Sequence, residues 1–443
     1  MLDFHGAMHR PKGKSIQKKW AYFENYIGLN GIIYVKKRKV FAMKKINILV
    51  SIIMVFALMF AMVSIGFAAD KSLTTAPLYF NEDGRFRIMH VTDTHLSKDN
   101  VKDSTWLIAN ACDREKPDLI MLTGDICKCD TVEETKWFIE QIMSIFQSRD
   151  IPVAVSFGNH DSENGVISRE DLMALYNEYP CSISIDDGEM LSGCGTYNVP
   201  LYSSIDGKMK FNLWVFDSGD YDSEGHYSNV QADQVEWYKQ TSAEIEKQNG
   251  GKINSLVFQH IIVPEVYDGL KKMKHKGAYV YNKFYTDDEF YAFDPEVENH
   301  GTLHESPSCG YYNHGQFDAL VERGDVLAMF TGHDHSNSFS VKYKGINITN
   351  SLSTRYNGDA YSSQYGYRII DLDENDTSTY QTRTQRWYNA FSACDSTALR
   401  KAGDKDGARL VDKVNFLGFI ELACETIGHL FVRIFTGRTV YYK

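Results

Sequence analysis

The sequence predicts an α/β fold, and three observations carry that expectation. Short apolar runs alternate with helical patterns from about Pro77 onward. Several runs end alike, in Gly or Thr followed by polar residues. Each such ending holds an Asp, an Asn or a His.

The stretch RFRIMHVTDTH (85–95) reads as a strand running into a loop, and DLIMLTGD (118–125) and IPVAVSFGNHD (151–161) repeat the form. Between those two, TVEETKWFIEQIMSIFQ (131–147) has helical spacing with acidic residues in its first turn. KFNLWVFDSG (210–219) and INSLVFQH (253–260) read as strands, separated by an amphipathic helix near 230–248. GDVLAMFTGHDH (324–335) is another strand and loop. In SFSVKYKGINITNS (338–351), Lys344-Gly345 reads as a hairpin turn. YGYRIIDL (365–372) and STYQTRTQRWY (378–388) close the domain as strands.

This places one α/β domain over residues 77–392, with other material at both ends. Residues 43–69, MKKINILVSIIMVFALMFAMVSIGFAA, read as a secretory signal peptide with Gly66-Phe67-Ala68 as its cleavage site. The apolar run from Ile46 is long for that purpose, so an uncleaved anchor is the alternative. Residues 1–42 are a non-native extension before Met43, or a basic cytoplasmic tail on an anchored protein. Residues 265–325 are Tyr-rich and aperiodic, with His275, His300, His304 and His314, and read as an insertion over one end of the sheet. Tyr and Phe of KFYTDDEFYAF (283–293) either wall a substrate site or pack the insertion down. Residues 393–443 read as a linker, RKAGDKDGAR, then an amphipathic helix with Phe416, Phe419/Ile420, Ala423, Ile427, Leu430/Phe431 and Ile434 on one side. Docking on the domain is the simple expectation for that stripe, and membrane-surface or partner binding the alternative. Membrane contact could also run through residues 46–68.

With 43% hydrophobic and 24% charged residues, the chain of 443 can bury a substantial core. Residues 70–443 carry 36 Lys+Arg against 56 Asp+Glu, a net charge of −20. Such a surface repels nucleic-acid backbones, so no nucleic-acid polymer is expected as a partner. A small anionic substrate stays possible where a metal supplies local positive charge. Of the eight cysteines, Cys181 and Cys194 could bridge a short loop, whereas CKC (127–129) lacks the second pair that a thiolate metal site needs.

Five strand ends carry the chemistry: Asp93-Thr94-His95, Gly124-Asp125, Gly158-Asn159-His160-Asp161, Gln259-His260 and Gly332-His333-Asp334-His335. Strand ends of an open α/β sheet converge on one crevice. Asp93, His95, Asp125, Asn159, His260, His333 and His335 offer seven oxygen and imidazole ligands. Without thiolate, that set suits Mn, Fe, Zn or similar ions. Seven ligands exceed one tetrahedral ion and fit two ions sharing a carboxylate. His90, three residues before Asp93, reads as a core or supporting residue, and His226 and the insertion histidines as structural or solvated.

These motifs, D-x-H, G-D, G-N-H-D, a lone His and G-H-x-H in this order, resemble the calcineurin-like metallophosphoesterases over roughly residues 84–375. NHGQFDALVERGDVLAMFTGHDHSNSF followed by YKGINI looks like the branch related to purple acid phosphatases. That branch has a Tyr ligand three residues after the second-motif Asp, and here Lys128 stands there, so no tyrosinate-bound ferric ion is implied. The resemblance implies a four-layer αββα sandwich. It also implies two divalent or mixed-valence metal ions, one held by Asp93, His95 and His335, the other by Asn159, His260 and His333, with Asp125 bridging. His160 would contact the phosphate and protonate the leaving oxygen, and Asp161 would orient His160. An N-cap after the strand is an equal reading of Asp161, and the two are compatible. The implied activity is hydrolysis of a small phosphate ester, preferably a monoester, outside the cytoplasm, secreted or anchored at the membrane. A phosphodiesterase acting on a small diester or nucleotide, and a catalytically idle surface metal-binding module, are the alternatives.

Overall fold

In the computed structural model, which describes residues 73–186, 190–275, 281–282, 289–356 and 364–436, alternate residues of single strands enter different cores. The strands in chain order are β1 (Leu78–Tyr79), β2 (Arg85–Val91), β3 (Leu119–Thr123), β4 (Val153–Ser156), β5 (Tyr197–Tyr202) and β6 (Met209–Val215). There follow β7 (Ser255–Phe258), β8 (Lys271–Met273), β9 (Tyr281–Asn282), β10 (Phe290–Ala292), β11 (Asn299–Thr302) and β12 (Val326–Thr331). The last are β13 (Ser338–Tyr343), β14 (Ile346–Asn350), β15 (Gly366–Asp373) and β16 (Gln381–Arg386). The α-helices are α1 (Val101–Glu115), α2 (Val132–Gln147), α3 (Arg169–Tyr176), α4 (Ala232–Asn249), α5 (Gln316–Arg323), α6 (Trp387–Ala390), α7 (Ala393–Ala402) and α8 (Lys405–Thr436).

One sheet runs β16-β15-β2-β3-β4 and the other β1-β5-β6-β7-β12-β14-β13-β11. Phe86 and Ile88 of β2, Leu119 and Met121 of β3, and Ile370 of β15 meet Leu213, Phe258 and Phe330 of the larger sheet in the core between the sheets. Met89, Val91, Ile120 and Leu122 face the other way, against Leu107 of α1, Ile139 of α2 and Val411 of α8. Trp214, Val257 and Met329 lie under Tyr238 of α4 and Phe317 of α5. Helix, sheet, sheet and helix thus form the expected four-layer αββα sandwich. A small three-stranded sheet, β8-β10-β9, lies within residues 265–325, and α5 occupies the last part of that interval.

Local chemistry sets the elements. Thr131 accepts the Glu134 N–H at 3.2 Å and caps α2, and Ser168 accepts the Asp171 N–H at 3.1 Å to cap α3. Lys344 and Gly345 both take positive φ, 44° and 90°, joining β13 to β14 by a tight hairpin turn. Strands β2, β3 and β4 are mutually parallel, as are β6, β7, β12 and β14. Their C-terminal ends therefore open on one edge of the sandwich.

His90 confirms the expected core position. It stands between the sheets, stacked edge-on to Phe258 and bonded to Ser351 Oγ at 2.9 Å and Thr123 Oγ1 at 2.7 Å. Burial, reinforced by the charge of Arg368, pushes its pKa down to about 3.

Three expectations change. The 400–409 stretch is not a linker: α7 runs to Ala402, Gly403 ends it at φ 92°, and α8 begins at Lys405. Ser392 and Asp395 form a capping box that starts α7, which loop composition alone conceals. Only the first part of α8 is docked, through Ala408, Leu410, Val411 and Val414, while Phe416, Phe419, Ile420, Ile427, Leu430 and Ile434 stay exposed. Cys181 and Cys194 form no disulfide with each other. The backbone of each is tied elsewhere, Cys181 O to Val153 N and Cys194 N to Asp217 Oδ2.

In KFYTDDEFYAF, Phe293 packs on Phe339 of β13 and holds the insertion to the sheet, while Tyr291 packs on Tyr267 within the insertion; residues 283–288 lie outside the described residues. The expected 1–42 extension and the expected signal peptide or anchor at 43–69 also lie outside the described residues. Among the described residues no helix is long and apolar enough to cross a membrane.

Candidate metal centre

Asp93 and His95 follow β2, Asp125 follows β3, Asn159 and His160 follow β4, His260 follows β7, and His333 and His335 follow β12. Pairing continues past the strand ends, with Asp93 N donating to Gly124 O at 3.0 Å and His95 N to Asp125 O at 3.0 Å. Asp93, His95, Asp125 and His333 all sit at positive φ, between 38° and 75°. Left-handed backbone is costly for residues with a Cβ and persists where surroundings over-determine it, commonly at functional sites.

Two groups of ligand atoms result, each within 4.8 Å of one another: Asp93, His95, Asp125 and His335, and Asp125, His260 and His333. Asp125 belongs to both. The His95 and His335 Nε2 atoms stand 2.8 Å apart, and His335 Nε2 lies 3.4 Å from Asp93 Oδ1.

The hydrogen bonds divide each ligand into a held end and an open end. Asp93 Oδ2 accepts from Thr92 Oγ1 at 2.8 Å and His333 N at 2.9 Å, leaving Oδ1 without a bond. Asp125 Oδ1 accepts His160 N at 2.8 Å, leaving Oδ2. Asn159 Nδ2 donates to the Tyr221 hydroxyl at 3.0 Å, leaving Oδ1. His260 Nδ1 donates to Thr123 O at 2.7 Å, which fixes its tautomer and leaves Nε2. His260 Nε2 lies 3.2 Å from Asp125 Oδ2 without hydrogen-bond alignment, and buried His333 Nε2 also has no partner. Buried polar atoms without partners are rare, because each forfeits its hydration. Five of them converging here fit a cation, and the oxygen and imidazole set fits two.

Electrostatics agree. Burial opposes charge on His260, but the carboxylates of Asp125 and Asp93 outweigh it and lift the pKa to about 9. Burial likewise opposes ionised Asp93, yet His260, His335 and His95 hold its carboxyl well below the usual range. Burial and the charge of His260 push His333 down to about 3. The two carboxylates hold positive charge on His260 and make the centre attractive to a cation.

Two glycines exist for the carboxylates. A Cβ on Gly158 would lie 2.2 Å from Asp125 Oδ1, and one on Gly332 would lie 2.3 Å from Asp93 Oδ2. The motif glycines clear the space that the ligands occupy.

Asp161 requires a correction. Its carboxylate bonds to backbone N–H groups instead of the His160 ring, and it caps no helix, since the next one starts at Arg169 behind Ser168. Its Oδ2 accepts N–H groups of Asp125 and Gly158, both at 2.8 Å, and its Oδ1 accepts Ile126 N at 2.9 Å. Asp161 ties the loop after β4 to the loop after β3. The partner of His160 is Glu163, whose Oε2 meets Nδ1, while Glu163 Oε1 pairs with Lys128 Nζ at 2.8 Å. Burial opposes the charge of Glu163, but Lys128 and His160 outweigh it and keep the carboxyl below its usual range. Sequence reasoning missed Glu163, although its i+3 spacing from His160 was a legible signal. It also missed Tyr221, which lies 62 residues from Asn159 with no signal linking them.

Of the remaining histidines, His226 is held by Asp222 at 3.1 Å, and His275, His300 and His314 are exposed. His304 is anchored by its N–H to Asn337 Oδ1 at 2.8 Å. None of these belongs to the two ligand groups.

The chain is 28% identical over 306 residues to "Probable inactive purple acid phosphatase 29" of Arabidopsis thaliana, covering 61% of this chain and 72% of that protein. It is 29% identical over 319 residues to "Probable inactive purple acid phosphatase 14" of the same plant, covering 63% and 73%. Among solved structures it is similar to a dimetal phosphatase from Danio rerio, at 13% identity and TM-score 0.42, covering 68% of this chain and 98% of that one. Residues 86–337 match the family described as calcineurin-like phosphoesterase, so with its strand-end ligands the chain belongs to that family.

Proposed function

We propose that this chain hydrolyses phosphate monoesters at a centre of two divalent or mixed-valence ions of Mn, Fe or Zn type. The observation that carries the reading is the set of five buried ligand atoms left without hydrogen-bond partners around a shared Asp125. Asp93, His95 and His335 would hold one ion and Asn159, His260 and His333 the other. Bound there, two cations would neutralise phosphoryl charge and lower the pKa of a nearby water. The chain's own residues do the rest. His160 faces the site beside His95, with 5.4 Å between ring centroids, and is placed to donate a proton to the leaving oxygen. Glu163 holds Nδ1, which frees Nε2 for the substrate. The neutral amide of Asn159 ligates without adding charge, so the centre still attracts an anion.

A second reading is an idle metal-binding module, favoured by the word "inactive" in the names of the two plant relatives. Against it, this chain keeps all seven ligands and His160. The export pattern in residues 43–69 supports action outside the cytoplasm, with a small phosphate ester as partner.

The test is kcat/KM of the protein reconstituted with Mn, Fe or Zn, for an aryl phosphomonoester against the matching diester. A strong monoester preference supports the proposal, and a diester preference moves the substrate class to the alternative. Asp125→Ala should abolish turnover and lose at least one bound ion. Metal bound at full stoichiometry with no turnover of either ester would establish the idle module.

A further inference from the structure

A strip of aromatic rings leads outward from the metal centre. It starts at two ligands: Asn159, bonded to the Tyr221 hydroxyl, and His333, whose ring meets that of Tyr227 edge-on at 4.3 Å. Tyr221 and Tyr227 stack on each other at 5.4 Å and 27°. Beside Tyr227, His226 stacks on Tyr311 at 4.4 Å and 17°, and Tyr312 stands edge-on to Tyr311 at 5.2 Å and 85°.

The outer rings are built into place. Tyr311 N donates to Tyr227 O at 3.2 Å, and Asp222 holds His226. A Cβ at Gly310 would lie 2.5 Å from Ser228 O, so the 309–312 segment presses directly on the 220–229 loop. Yet Tyr311 is 54% exposed and Tyr312 48%, so neither is placed there by burial. Two large rings thus stand at right angles, half open to solvent, at the outer end of a strip that starts at Asn159 and His333.

We propose that His226, Tyr311 and Tyr312 form a subsite for a planar aromatic group, such as a nucleobase, attached to the alcohol that leaves from the phosphate ester. This rests on the phosphoesterase reading above and specifies the substrate class of that site. Stacking suits any base, since every base has a π-face. Asp222 and Glu224 flank the rings, which disfavours a second phosphate at this end and so argues against sugar polyphosphates. One anionic end at the metals and one neutral, flat end on the rings describe a nucleoside monophosphate better than a simple sugar phosphate.

Adenosine 5′-monophosphate and ribose 5-phosphate test this, because both break the same bond to a primary alcohol and differ in the base. With the metal-reconstituted full chain, kcat/KM should favour the nucleotide by roughly 10-fold or more, the range of one base–aromatic stack. Tyr311→Ala, alone and with Tyr312→Ala, should bring that ratio toward one, and Tyr311→Phe should preserve it, since stacking needs no hydroxyl. Equal kcat/KM in the wild type, or equal losses on both substrates in the alanine variants, overturns the subsite. If neither ester turns over, the hydrolytic reading fails by itself. Calorimetric binding of the same two compounds then decides the subsite, supported by tighter binding of the nucleotide and overturned by equal binding.

Discussion

The carboxylate of Asp161 accepts the backbone N–H of Asp125 at 2.8 Å, joining two loops whose sequence positions are 36 residues apart. Because it also takes Ile126 N and Gly158 N, one side chain sets the position of the shared ligand and the loop carrying Asn159 and His160. Bonds to a charged acceptor contribute about 1.5–3 kcal/mol each. Asp161→Ala is therefore expected to destabilise the protein by about 3 kcal/mol or more and to weaken metal binding. Denaturation and metal titration together check this. An Asp161 that merely tuned His160 would lower kcat alone.

Glu163 is the residue that positions His160. Glu163→Gln keeps the shape but loses the charge that links the His160 imidazole on one side to Lys128 on the other. The expected outcome is a fall in kcat of about 10-fold, by analogy with loss of an outer partner at metal sites, with metal content and KM little changed. A smaller loss should accompany Lys128→Met. Unchanged kcat in Glu163→Gln would remove Glu163 from the machinery.

Gly332→Ala probes the space shared with a ligand. A Cβ there would fall 2.1 Å from Thr92 Oγ1 and 2.3 Å from Asp93 Oδ2, so Asp93 must move. The variant should fold but bind fewer than two ions per chain, read by elemental analysis after dialysis. Full occupancy would show that the loop yields more easily than the carboxylate.

His90 makes a prediction about acid. Its folded pKa of about 3 lies below the ordinary 6.5, so between those values the unfolded chain binds a proton that the folded chain refuses. Its contribution to stability is complete above pH 6.5 and falls by up to about 1.4 kcal/mol per pH unit as pH drops toward 3. His90→Asn should flatten the stability slope in that window, whatever it does to stability at pH 7. Parallel slopes in wild type and variant would mean that His90 takes up its proton while folded.

The division between sequence and tertiary structure follows the range of the interactions. Apolar alternation and strand-end polar residues are local, so the sandwich strands and Asp93, His95, Asp125, Asn159, His260, His333 and His335 were legible from the chain alone. Parallel strands must end on one edge, which is why ligands scattered over more than 240 residues converge. Which atom of each ligand is left open was decided by partners far away in sequence, such as Thr123 for His260 and Tyr221 for Asn159. The true contacts of Asp161 and His160, the unbridged Cys181 and Cys194, and the exposed stripe on α8 likewise depend on where loops and helices settle after the sheets pair. Residue type and spacing set what the chain can ligate, and strand register and left-handed turns set where each ligand atom points.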